Sequence, residues 1–389
     1  MVIRELTVES GPHERLGCPV EYHLKGLQGT DPAYMRLLDK GKGELVILQT
    51  WATGEGRIAL MWIVDEMRPF TQRSYALIVD DQAQASTEES VVLSEKTLGQ
   101  LKIDIGGEHF TTYRFGPEAV RPYLHPVLAP GQVGVTRNWP MVPDIPGETN
   151  DHPHHTGLWT AHGDVNGVDN WSVANGHGYV IHREFTELFS GTVRGGFAET
   201  LDWTDGEKRR LLTETRRGVF YSTSPLTRLF DWEVTLCASE GEVTLADTKE
   251  AGLISVRVAT SMDAKNGGWI QNAYGACQEA ETWGKRAPWC DYSGPVDDGC
   301  WGVCLMDHLE NPRYPTYWHV RDYGLMTANC FGVHDFTRNP ENRWDLLIPS
   351  GESRTWRYRV LIHKGDTRDD KVAAHYHGFV NPPQVRMCQ

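Results

Sequence analysis

LGQLKIDIGGEHFTTYRF, residues 98–115, decides the fold. Leu101, Ile103 and Ile105 alternate with polar residues, so their side chains share one face of an extended chain. Gly106-Gly107 then offers the positive φ angles of a tight turn, and the chain returns through Phe110, Thr112 and Tyr113. Period-two alternation on both sides of a two-glycine turn reads as an antiparallel hairpin. The same device is expected at FAETLDW and RRLLTETRRGVFY around TDGE, and at DWEVTLCA and EVTLAD around SEGE. It is expected again in WDLLIPSGESRTWRYRVLIH around Pro349-Ser350-Gly351. GELVILQTW, RIALMWIVD and SYALIVD add short β-rich runs near the N-terminus. Helical periodicity is scarce, and RDDKVAAHYHGFV, residues 368–380, is its best candidate. The expectation is an all-β chain built as two large stacked antiparallel sheets.

A polar run low in aromatics, QAQASTEES at 82–90, reads as a linker between a small N-terminal β unit (1–90) and a main sandwich domain (91–389), or as one long surface loop. With 389 residues the chain is long enough for a large core. The formal charge of -14 argues against nucleic acid and anionic membranes as partners. The charged start, MVIRELTVES, lacks the apolar region of a signal peptide, and no run approaches the roughly 18 apolar residues of a membrane span. Eight cysteines are scattered without a CxxC pair, which suits reduced thiols and a cytoplasmic location.

Strand patterning fades between Pro122 and His155, where glycine and proline are frequent. Long irregular stretches inside compact β domains are usually functional. This one runs into DHPHHTGLWTAHGDVNGVDNW, residues 151–171, with four histidines, three aspartates and two tryptophans. Imidazole is both a common metal ligand and the natural acid or base near neutral pH. If the segment is extended, His152 and His154 share one face and could grip a metal, His125 completing the shell, while His155 faces away. The alternatives are metal-free acid/base chemistry or histidines that simply hold loop carbonyls. Asp164, Asn166 and Asp169 supply acceptors beside His162, although an ordinary Asx turn has the same composition. The ligand pattern of an EF-hand calcium loop is absent.

Other side chains are candidates for the same site. Arg121 and Arg137 flank the irregular stretch and could clamp a polar substrate, or pair with surface acids. Glu199 and Glu214 lie on facing strands of a hairpin, and either could be a general base if buried. Trp283, Lys285, Arg286, Trp289, Asp291 and Tyr292 form an aromatic and charged cluster suited to a polyhydroxylated ligand. Trp318, His319, Arg321, Asn329 and Phe331 repeat that style. Fourteen tryptophans and fourteen tyrosines are many; most are core filling, but flat apolar sugar faces also stack on such rings.

RPYLHPVLAPGQVGVTR (121–137), the histidine segment, KEAGLISVRVA (249–259), WGKRAPWCDYSG (283–294) and YWHVRDYGLMTANCFG (317–332) together resemble the DUF6807 family over roughly residues 95–365. Members often bear the label "methane oxygenase PmoA". The methane monooxygenase subunit of that name is an integral membrane protein, so membrane methane chemistry is not expected of a chain without a span. The resemblance implies a β-sandwich of the mutarotase-like supersandwich kind, encoded beside sugar-metabolism genes. The leading expectation is an enzyme that cleaves a glycoside, such as a 3-keto glycoside, by metal-assisted elimination or hydrolysis. His152, His154 and His125 would hold a divalent metal; His155, Glu199 or His162 would act as acid or base. Arg121, Arg137, Trp159, Asp164, Asn166, Trp171, Lys285, Trp289 and Asp291 would bind the sugar. The alternatives are a metal-free epimerase or mutarotase using histidine and glutamate, and a non-catalytic sugar-binding protein. No nucleotide cofactor is expected, and exposed strand edges allow a homodimer.

Overall fold

The structure, a computed structural model, describes residues 2–25, 31–54, 56–80 and 89–388. Two antiparallel sheets stack face to face. The larger runs from Lys285–Arg286 through Tyr317–Val320, Leu325–Asn329, Ala251–Arg257, Leu158–His162, Tyr123–Ala129, Glu108–Arg114 and Gln100–Ile105 to Val91–Thr97. The other orders Tyr179–Phe189, Arg194–Thr204, Arg210–Tyr221, Arg228–Cys237, Ser353–Lys364, Gly299–Asp307, Trp289–Val296 and Trp269–Asn272. This is the all-β sandwich that the alternating runs predict.

Two hairpins form as expected. Gln100–Ile105 pairs with Glu108–Arg114 across Gly106-Gly107, and Arg194–Thr204 pairs with Arg210–Tyr221. The other two do not. Arg228–Cys237 pairs with Ser353–Lys364, and the short Val243–Leu245 pairs with Leu346–Ile348. The two arms bend at SEGE and PSGE and then pair with each other rather than folding back on themselves. Bonds from Ala238 N–H to the Glu352 carbonyl and from Gly351 N–H to the Ala238 carbonyl, 3.0 and 2.9 Å, lock the shared bend. The expected helix at 368–380 is present as Val372–Val380.

Inward-facing residues from both sheets form one core that includes Phe110, Leu158, Phe220, Phe230 and Trp232. Phe220 and Phe230 stack at 5.4 Å, and Trp232 Nε1 donates to Thr160 Oγ1 of the opposite sheet at 3.1 Å. Each such ring contributes roughly 1.5–3 kcal/mol by leaving water. A separate core holds Leu37, Leu60, Trp62, Tyr75 and Leu77. It lies between Arg15–Lys25, Arg57–Met67 and Gln49–Ala52 on one side and a five-stranded sheet on the other. The C-terminal strand Gln384–Cys388 closes the edge of that second sheet beside Val2–Glu9. The run read as a linker lies outside the described residues from 82 to 88. The described cysteines are free wherever their side chains are placed. Among the described residues no helix is long and apolar enough to cross a membrane.

Candidate functional site

Strand register places the site on the outer face of the larger sheet. Leu158 sits opposite Leu124 and Val256, and these three side chains enter the core. One residue on, Trp159 sits opposite Tyr123 and Ser255, and Ser255 opposite Thr327. These point the other way, where Trp159, Ala161, Trp171 and Leu325 make a small cluster of their own with Tyr123 and Tyr323. The irregular stretch before and after Leu158–His162 roofs this face.

The histidines do not lie on an extended segment. His155 N–H bonds to the His152 carbonyl at 3.0 Å, which closes a four-residue turn with Pro153 second. His152 has φ +48, a left-handed conformation. The turn brings all three rings together instead of dividing them between two faces. Tyr323, His152, His155 and Trp159 stack in one column at 4.9, 4.8 and 5.2 Å, and His154 stands edge-on to His155 at 4.4 Å.

A buried cationic clamp holds this turn. Arg137 and Arg257 each place NH1 2.8 Å from Asp151 Oδ1. Arg137 also donates to the carbonyls of Trp139 and His152, at 3.0 and 3.2 Å. The two guanidiniums hold the Asp151 carboxyl well below the usual carboxylate range, against the opposing effect of its partial burial. Arg257 NH1 also lies 3.1 Å from His155 Nδ1. Arginine only donates, so Nδ1 is the acceptor and a neutral His155 carries its proton on Nε2. Burial, then the neighbouring His154 and Arg257, push the His155 pKa well down.

The result is a cleft of about 480 Å³ lined by His152, His154, His155, Trp171, His319 and Tyr323, with Lys249, Glu250, Asp169 and Arg321 adding charge. His319 comes from Tyr317–Val320, on the outer face beside Thr327. Its Nδ1–H donates to the Lys249 carbonyl at 2.7 Å, which leaves Nε2 with a free lone pair. That nitrogen is buried and has no partner among the described residues, as is Trp171 Nε1. Burial lowers His319 and His154 to about 4, so both are neutral at physiological pH.

The structure brings together His152, His154, His155, Asp169, Trp171, His319 and Arg321, places Arg121 in a neighbouring space that His154 also lines, and leaves the other candidates elsewhere. His125 is buried beside Arg114 and Asn138 and does not line the cleft. Among the described residues no three His, Cys, Asp or Glu side chains converge closely enough for a metal ion, so the set His152, His154 and His125 does not form one shell. His162 is fully buried against Phe331, its Nδ1 accepting from Asp164 N–H at 3.0 Å. Trp159 is 0% exposed, a floor beneath His155 rather than a platform for sugar. Asp164 Oδ1 accepts from Gly167 N–H within its own turn, and Asn166 Oδ1 accepts from Thr244 N–H, tying that turn to a distant strand. Arg137 is spent on the clamp. Lys285 is exposed on an edge strand; Trp289 packs under the smaller sheet; Asp291 is buried against His363 Nε2 at 2.8 Å. Glu199 lies between the sheets, with His182 Nδ1 at 2.6 Å and the Tyr113 hydroxyl donating to it. Arg216 donates to that hydroxyl at 2.9 Å and pairs with Glu214 at 2.6 Å, so both glutamates belong to one interior network.

His319 and Arg321 belong to a cluster legible by composition, but Lys249, Glu250, Tyr323 and Arg257 were not singled out. Arg257 had a signal: a lone cation ending the apolar run AGLISV, which a buried strand tolerates where acids or other acceptors satisfy it.

A large β-sandwich with a histidine-lined cleft on an outer sheet face is thus the class that fold and site define. The chain belongs to the family of unknown function DUF6807, whose profile matches residues 100–377. No match was found among curated proteins.

Proposed function

We propose that this protein is an enzyme that moves a proton on a sugar-sized, polyhydroxylated ligand held in the histidine cleft, a reaction of the epimerase or mutarotase type. The observation that carries this reading is the His319 imidazole. Its Nδ1–H is fixed on a carbonyl, and its Nε2 lone pair is buried and unpartnered on the cleft wall. That is the arrangement of a general base, which typically contributes about 10²–10⁴ in rate. His319 would hand back the proton that it takes, and the neutral His154 and His155, which line the same cleft, would bind hydroxyls. Trp171 offers an apolar ring and an indole N–H, and Lys249, Glu250 and Arg321 offer hydrogen bonds to hydroxyls. The test is NMR and polarimetry on a panel of free aldoses and keto sugars in D2O. The parent should accelerate anomer exchange or C–H deuteration of at least one sugar, and His319→Asn should not. Saturable sugar binding with no exchange would sink the enzymatic reading in favour of a non-catalytic sugar-binding protein.

A second reading, metal-assisted cleavage of a glycoside, rests on the same histidine. An imidazole whose other N–H bonds to a backbone carbonyl is oriented as metal-bound imidazoles are. His319, His152 and His154, which line one cleft, would be the donors in place of the set that included His125, and they would have to draw together to share an ion. Elemental analysis of untagged protein beside a His152→Ala/His154→Ala variant decides it. Near-stoichiometric metal, lost in the variant, would shift the reading to cleavage, with 3-keto glycosides the first substrates to assay.

A further inference from the structure

A second chamber, of about 230 Å³, adjoins the histidine cleft, and His154 lines both. Tyr123, Pro140, Met141 and Val173 give it apolar walls, and Arg121 lines it as well. Arg121 is 3% exposed. A buried guanidinium without a counter-charge is costly, so the partners of the buried arginines are informative. Arg137, Arg216, Arg228, Arg257 and Arg359 each meet a carboxylate within salt-bridge distance. Arg15 meets none, but its donors are spread over the carbonyls of Ser10, His377 and Asn381.

Arg121 has neither solution. NH2 donates to the Ser172 carbonyl at 2.9 Å, NH1 reaches the His154 carbonyl only at 3.5 Å, and Nε is buried without a partner among the described residues. The acid whose field reaches it is Asp169, which accepts instead from the Trp171 and Ser172 N–H groups and the Ser172 hydroxyl. Glu118 also lines the chamber but is exposed, where water screens it. Arg121 is thus a desolvated cation with unused donors, beside a space that shares His154 with the cleft as a lining residue.

We infer that Arg121 is an anion receptor, and that the ligand is a sugar acid or its glycoside, seated with its carboxylate on Arg121 and its hydroxyls in the histidine cleft. This rests on the proposed sugar-binding role of the cleft and narrows it to anionic substrates. A carboxylate fits because a guanidinium meets its two oxygens with two parallel N–H donors.

Titration calorimetry with phenyl β-D-glucuronide, phenyl β-D-glucoside, glucose 6-phosphate and benzoate tests it. The glucuronide should bind the parent at least about 10-fold more tightly than the glucoside, the scale of a charge-assisted pair. That preference should vanish in Arg121→Gln and survive in part in Arg121→Lys. Val173→Trp, a change at an exposed rim position that leaves Arg121 untouched, should weaken the glucuronide by filling the chamber, and it serves if the arginine variants do not fold. Equal binding of glucuronide and glucoside would overturn the anion receptor and leave the sugar cleft standing. Benzoate binding that depends on Arg121, with neither sugar binding, would overturn the sugar reading and keep the receptor. Tighter binding of glucose 6-phosphate than of glucuronide would overturn the carboxylate assignment, and no binding by any probe would overturn both inferences.

Discussion

The Arg257 guanidinium donates to Nδ1 of His155 across 3.1 Å, with both side chains buried. The contact ties a strand of the larger sheet to the histidine turn and sets the imidazole tautomer. Through Asp151, which Arg257 shares with Arg137, it also anchors the whole turn.

Arg257→Met should therefore destabilise the fold by about 3–5 kcal/mol, the range for breaking a buried charge pair and stranding its partner. It should also abolish sugar binding, because the turn loses its anchor. Urea unfolding reads the first effect and calorimetry the second. A variant within about 0.5 kcal/mol of the parent, as for an ordinary surface change, would show that the clamp does not hold the site.

Turnover in the cleft should fall on the acid side with a midpoint near 4, not near 6.5. In the proposed reaction His319 must be neutral to act as base, and burial lowers it to about 4. Activity is present above that value and is lost as pH falls through it. A kcat/KM profile between pH 3.5 and 8 on a responsive sugar checks this; an acid limb centred near 6.5 would assign the base to a solvated histidine instead.

Fold stability should decline as pH drops from about 6.5 toward 4, above the usual carboxylate range. His162 is lowered to about 3 and His125, His154 and His319 to about 4. In that window the unfolded chain binds protons that these folded imidazoles refuse, so they make stability rise with pH, offset in part by the buried Asp263 and Asp307, which burial raises to about 6 and about 7. The slope is about 1.4 kcal/mol per pH unit for each such imidazole. Asp151, depressed in the folded state, adds stability above the ordinary carboxylate pKa that is lost below it. Urea unfolding of the parent and of His162→Gln from pH 7.5 to 4.5 should give a flatter profile for the variant.

Trp159 and Trp171 should separate. Trp159→Ala should cost about 3–5 kcal/mol as a buried-ring truncation and affect ligand only through the fold. Trp171→Phe should cost less than about 1.5 kcal/mol yet weaken sugar binding several-fold, because the Trp171 indole N–H is unpartnered in a cleft-lining ring. Equal effects of both on affinity at matched stability would contradict the outer-face geometry.

Glu199→Gln should leave cleft turnover unchanged while lowering stability by about 1–3 kcal/mol, the cost of disturbing a buried hydrogen-bond network. Loss of turnover in a folded Glu199→Gln protein would place the chemistry between the sheets, not on the outer face.

Residue order fixes whatever is settled between chain neighbours. The hairpin at 98–115 and the one joining Arg194–Thr204 to Arg210–Tyr221 were legible because turn and alternation are adjacent. The gathering of His152, His154 and His155 around Pro153 was legible because these residues are chain neighbours whatever the rest of the chain does. Tertiary structure alone chose the partners. SEGE and PSGE look like hairpin turns, but which strand a free edge meets is decided over long range, here between residues as far apart as Arg228 and Ile362. It also chose the faces. Alternation says that Trp159 and Leu158 point opposite ways, but not which of them meets the second sheet. Glu199 and Trp289 were therefore grouped with a site that they do not reach, while Arg257, 102 residues beyond His155, went unnoticed as its partner. A period of two carries the contrast between faces; only packing of one sheet on another gives that contrast a direction.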